Sequence, residues 1–162
     1  MPKLSLRDPD ARLLYLATVY HLGRPGSETD AMTLERHDLG LGPVHEALAP
    51  QMGREVVEVE VSPYQVHRIG EALLGIINEL KQYEMAHGRS AVPRFEATVR
   101  RLFPEVSTEP GAALELVREA MMLRRRLGGA IAQADQALAE ARGEPSARPD
   151  GERRPWWRVW RR

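Results

Sequence analysis

The sequence predicts a mainly α fold: a helical bundle or hairpin of two long helices, with shorter helices and one short β-strand or two-stranded ribbon. Three observations carry this. A 3,4-spaced apolar seam runs from Val66 to His87, a second runs from Ala113 to Ala141, and one short segment, Glu55 to Val61, alternates apolar and acidic residues instead.

In chain order, Asp8-Pro9 opens the first helix, with Asp8 as cap and Pro9 at the first helical position. Leu13, Leu16, Ala17 and Tyr20 recur at helical spacing, widened by Leu14 and Val19, until Gly23 and Pro25-Gly26 stop the run. Residues 24–43 read as loop, rich in turn formers, with Met32-Thr33-Leu34-Glu35 as a short strand inside it. A short helix is expected from Val44 to Met52.

In the alternating segment Val57, Val59 and Val61 share one face while Glu58 and Glu60 point the other way. A lone strand leaves backbone donors and acceptors unpaired. Residues 55–61 are therefore expected to pair with residues 31–36 or with the same strand of another subunit. Ser62-Pro63 then starts the long helix whose seam is Val66, Ile69, Leu73, Ile76, Leu80, Tyr83 and His87, broadened by Gly70, Leu74 and Ile77. Gly88 ends it. A helix from Pro93 to Phe103 turns Phe95, Val99 and Leu102 inward and stops at Pro104. The last long helix runs from Pro110 to Arg142 on Ala113, Leu116, Ala120, Leu123, Leu127, Ala130, Ala134, Ala137 and Ala141, with Gly128-Gly129 marking a kink or a tight crossing.

This divides the chain into a helical domain over residues 1–142 and a disordered linker with a basic, Trp-rich tail over residues 143–162. The chain has 162 residues, a net charge of zero and no cysteine, which excludes disulfides and thiolate metal sites. No stretch approaches the roughly 20 apolar residues of a membrane span, and a cytoplasmic protein is expected, with contact to the inner membrane face as an extension. The charge is uneven. Residues 148–162 hold six Arg against Asp150 and Glu152, a net +4 that leaves −4 on residues 1–147. All three Trp lie in the same tail.

The tail supplies the candidate partner-binding residues: Trp156, Trp157 and Trp160 as anchors, with Arg153, Arg154, Arg158, Arg161 and Arg162 supplying charge. Exposed indoles forfeit the gain of burial, so something should cover them. A groove on another protein is the first expectation, because Trp and Arg are the usual interface anchors. An anionic membrane surface follows, then nucleic acid, and a fold-back onto the acidic body is the remaining alternative. The expectation is a non-enzymatic, dimeric helical adaptor or regulatory protein, without cofactor, that docks through this tail.

Two alternatives carry specific residues. The order of helix 11–22, helix 44–52, Val-rich strand and long helix matches a winged-helix DNA-binding regulator, but Val44 to Met52 lacks any Arg or Lys. His37-Asp38-Leu39-Gly40 resembles the His-Asp dipeptide of the metal-dependent HD-domain phosphohydrolases, a helical family. The resemblance implies a metal site completed by an upstream His, for which His21 stands nearest, and a distant Asp, for which only Asp135 and Asp150 follow. Glu84 and His87 make a single Glu-x-x-His pair without the second pair that di-iron bundles use. Glu84 and His87 are read as surface groups, and His67 and Glu71 as an ordinary i, i+4 contact. No phosphate loop, dinucleotide fingerprint or nucleophile elbow is present.

Overall fold

The structure is a computed structural model and describes residues 3–143. Within them the chain is mainly helical, and the element order is β1 (Lys3–Arg7), α1 (Asp10–Gly23), α2 (Ala31–Glu35), α3 (Gly42–Leu48), β2 (Val56–Glu60), α4 (Pro63–Met85), α5 (Pro93–Leu102), α6 (Ala112–Arg126) and α7 (Gly128–Ala141). The expected linker and tail lie outside the described residues, apart from the turn that ends at Gly143.

α4 forms the centre, packing against α1, α6 and α7. α1 is buried almost all round, from Ala11 to His21, and packs also on α3 and α5. A helix apolar on every side belongs in the interior. Its start differs from expectation: Asp8 makes no capping hydrogen bond and instead pairs with Arg12 one turn on, while Pro9 occupies the cap position. α4 starts as expected and better. Ser62 Oγ accepts from the Gln65 N–H at 3.2 Å, and Gln65 Oε1 accepts from the Ser62 N–H at 2.8 Å. This reciprocal capping box satisfies two donors of the helix end.

The strand at 56–60 pairs inside the chain, and neither expected partner is used. β1 and β2 are antiparallel, with Leu4 opposite Val59 and Leu6 opposite Val57. Leu6, Val57 and Val59 are buried together. Cross-strand apolar pairs of this kind are the unit of sheet stability. The other edge of β2 is plugged by Gln51, whose amide donates to the Glu58 carbonyl at 2.9 Å and accepts from the Glu58 N–H at 3.2 Å. That side chain occupies the backbone groups that a second subunit's strand would need.

Residues 31–35, expected as a strand, are the helix α2. The Asp30 carboxylate accepts from the Met32 N–H at 2.9 Å and commits the segment to a helical turn. Met32 and Leu34, which a strand would have buried on one face, are 43% and 70% exposed.

The last long helix is not continuous. α6 ends at Arg126, Leu127 leaves the α geometry at φ −80 and ψ −6, and α7 begins at Gly128. The seam holds through Ala113, Leu116, Ala120, Leu123 and Leu127, then passes through Ala134 to Leu138, leaving Ala137 and Ala141 exposed. A step of four places the larger leucine inward, where it buries more apolar area than Ala137 would. Two long helices paired as one hairpin are thus replaced by α4 flanked by two shorter helices. α7 approaches α4 at Gly70, where an added Cβ would lie 2.8 Å from Ile131 Cδ1. The Gly70 carbonyl also accepts from Arg124 Nε at 3.2 Å. Gly75 does the same for α1, because a Cβ there would lie 2.5 Å from the Tyr20 ring.

Candidate functional site

α6 and α7 both pack on α4 and are separated by the break at Leu127, which two glycines follow. A Cβ added at Gly128 or Gly129 would touch nothing within 4 Å. The result is a groove of about 790 Å³ between α4, α6 and α7. Its apolar lining comes from Leu74 and Ile77 on α4, Met121 and Met122 on α6, and Ile131 on α7. Leu74 was expected in the buried seam of α4 but is 47% exposed, and Met121 and Met122 are each 54% exposed. Exposed large apolar side chains gathered in one concavity mark a binding surface. Methionine adapts its shape to irregular partners, as helix-binding grooves require.

The rim is basic. Lys81, Arg118, Arg124 and Arg125 border the groove against Asp135 alone, a net +3. Arg118 shares Glu115 at 3.4 Å and Arg124 is tied to the Gly70 carbonyl. Asp135 Oδ1 lies 2.5 Å from His67 Nδ1, yet that nitrogen has no aligned hydrogen-bond partner. This polar contact joins α4 and α7 beside the packing of Ile131 on Gly70.

The residues singled out in the sequence are placed as follows. The partner-binding set Arg153, Arg154, Trp156, Trp157, Arg158, Trp160, Arg161 and Arg162 lies outside the described residues. His37 and Asp38 occupy a 3-10 turn on the surface. The Asp38 carboxylate accepts from Arg36 at 3.3 Å, and its carbonyl accepts from Ser62 Oγ at 2.9 Å. His21 is buried and engages Glu28, not the His-Asp dipeptide: Nε2 and Glu28 Oε1 are 2.8 Å apart, and the same oxygen accepts from the Leu41 N–H at 3.4 Å. Burial lowers the pKa of His21, with Glu28 opposing the shift. Among the described residues no three His, Asp or Glu side chains converge as a metal site.

Glu84 and His87 both border one surface cleft at the end of α4. Glu84 Oε1 accepts from the Gly111 N–H at 2.9 Å, satisfying a donor just before α6. His87 lies past the end of α4 with φ 52, where the chain turns into Gly88. His67 does lie 3.5 Å from Glu71, as expected for an i, i+4 contact.

Of the groove residues, Leu74 reads in the sequence as part of the core face of α4, whereas Met121 and Met122 fall between Ala120 and Leu123, off the seam of the last helix. Comparison with family models, curated proteins and solved structures finds no match for this chain in any of the three. Among the described residues, no helix is long and apolar enough to cross a membrane.

Proposed function

We propose that this protein is a non-catalytic helical adaptor or regulatory module whose α4–α6–α7 groove receives the apolar face of an acidic amphipathic helix from another protein. The observation that carries this is the joining of exposed Leu74, Met121 and Met122 with a rim of net +3. An apolar floor supplies affinity, and the basic rim selects an acidic partner and orients it. The Arg/Trp segment of this chain carries a net +4, the same sign as that rim. It is a separate docking element for an acidic protein surface or an anionic membrane, with Trp156, Trp157 and Trp160 as anchors.

Neither alternative gains support from the geometry. α3, which a winged-helix reading would place against DNA, buries Val44 and Leu48 and presents Glu46 and Ala47 outward. β2 pairs with a strand that precedes α1, so no wing hairpin follows α3. The unpaired strand that argued for a dimer is satisfied within the chain.

The test is fluorescence anisotropy on the full chain with three labelled peptides: a designed Glu-rich amphipathic helix with Leu at i, i+3, i+4 and i+7, its Lys-for-Glu counterpart, and residues 149–162. The acidic peptide is expected to bind, and Leu74→Glu and Met121→Glu to weaken it by about tenfold or more each, since one anchor side chain is worth roughly 1.5–3 kcal/mol. Equal binding of the basic peptide, or unchanged affinity in both variants, would refute the reading.

A further inference from the structure

The geometry points to a second, independent site: an oxyanion pocket for a phosphate group, free or on a small ester, in the cleft between α1, α3 and α5. The cleft has a volume of about 260 Å³ and is lined by Tyr15, His45, Arg94, Thr98 and Arg101. Arg94 and Arg101 are seven residues apart on α5, two helical turns, and so share one face. Neither forms an ion pair with a carboxylate among the described residues. Arg100, on another face of the same helix, is held by Glu96 at 3.0 Å and by the Gly88 carbonyl at 2.7 Å. The cleft face is thus the one on which α5 leaves its guanidinium groups available.

His45 lines the same cleft in a defined tautomer. Its Nδ1 lies 2.9 Å from Thr18 Oγ1, and the Thr18 hydroxyl donates its proton to the Tyr15 carbonyl at 2.8 Å. Thr18 oxygen must therefore accept from the His45 Nδ1–H, which leaves Nε2 as the nitrogen free to gain a proton. Tyr15 stacks on the imidazole at 4.9 Å and 25°, which holds the ring plane. Burial, then the Arg94 charge, lower the pKa of His45, while Glu46 on its own helix raises it. An anion between Arg94 and Arg101 cancels the repulsion from Arg94 and draws a proton onto Nε2. Two guanidinium forks, an imidazolium and the Thr98 hydroxyl match the three terminal oxygens of a phosphate better than the two of a carboxylate. The volume leaves room for a short carbon chain but not for a macromolecule.

The test is calorimetric titration of the full chain with inorganic phosphate and, in a second arm, glycerol 3-phosphate. Saturable binding is expected, weakened about tenfold or more in Arg94→Ala/Arg101→Ala, because charge-assisted bonds to phosphate are each worth roughly 1.5–3 kcal/mol. Arg54→Ala/Arg89→Ala, which removes the same charge elsewhere, should bind as the parent does. Tighter binding of the ester than of phosphate identifies the ester as ligand, and equal binding identifies the free ion. Arg94 and Arg101 are exposed, so the double variant should keep the parent melting temperature. No saturable binding at 10 mM (roughly the limit of a millimolar site), or equal affinity in Arg94→Ala/Arg101→Ala, would overturn the assignment.

Discussion

Two glycines five residues apart on α4 offer a controlled perturbation. Gly70 and Gly75 both lie inside the helix, so Gly→Ala should gain about 1 kcal/mol of helix propensity at either. Their neighbours differ. A Cβ at Gly75 would lie 2.5 Å from Tyr20 Cε1 and 3.1 Å from Cδ1. Carbon atoms rest about 3.5–4.0 Å apart, so the ring would have to move by about 1 Å. Tyr20 meets fully buried Phe95 at 75° with ring centroids 5.6 Å apart, and the Arg24 guanidinium lies over its ring at 5.5 Å. Overpacking of this kind costs about 1–3 kcal/mol, which outweighs the propensity gain. At Gly70 the obstacle at 2.8 Å is Ile131 Cδ1, the end of a flexible side chain beside the open groove. Rotation there costs less than the propensity gain. Gly75→Ala is thus expected to lose about 1 kcal/mol net, a fall of about 2–4 °C in Tm. Gly70→Ala is expected to be neutral or slightly stabilising. Urea unfolding with a constant m-value would measure both. The Tyr20→Leu background should remove the Gly75 penalty in a double-mutant cycle. Gly70→Ala destabilising as much as Gly75→Ala would refute this account of how α1 and α7 approach α4.

Gln65 is 3% exposed and holds two buried groups, the Ser62 N–H at 2.8 Å and the Gly40 carbonyl at 3.1 Å. Gln65→Ala should cost about 2–4 kcal/mol in chemical denaturation, since both groups lose their partner. Gln65→Glu keeps the acceptor and loses the donor, so its deficit relative to the parent should shrink as pH falls and the buried carboxyl regains a proton. A second pH effect belongs to the parent protein. Burial lowers the pKa of both His21 and His45 from 6.5, so the unfolded chain takes up protons first on acidification. Their contribution to stability is complete above about pH 6.5 and is lost as pH falls through the lowered folded values. The urea midpoint should drop between pH 7.5 and 5, and His21→Gln/His45→Gln should flatten that limb. A midpoint that rose on acidification would contradict the burial of these two rings.

Local chemistry made α4 readable: Ser62-Pro63 at its start, Gly88 after its end, and a 3,4 seam between them, all encoded within a few residues of where they act. The alternation of Val57 and Val59 was equally local. Its partner was not, because β1 contacts β2 across about fifty residues of chain. Met32 and Leu34 mimicked an inward strand face until the Asp30 cap turned them into a helix. Gly128-Gly129 signalled a break whose depth the seam concealed. The His-Asp dipeptide looked like chemistry because adjacency in sequence stood in for convergence in space. The groove shows the reverse. Leu74 fits the core face of α4 yet is 47% exposed, and Met121 and Met122 lie off the seam of α6, where only the fold gathers the three around one groove. The sequence determined where helical apolar periodicity runs, as in α1, α4 and α5, since that depends on neighbours three or four residues away. Which apolar faces stay uncovered was decided by the tertiary structure alone, because burial depends on what the rest of the chain brings to that face.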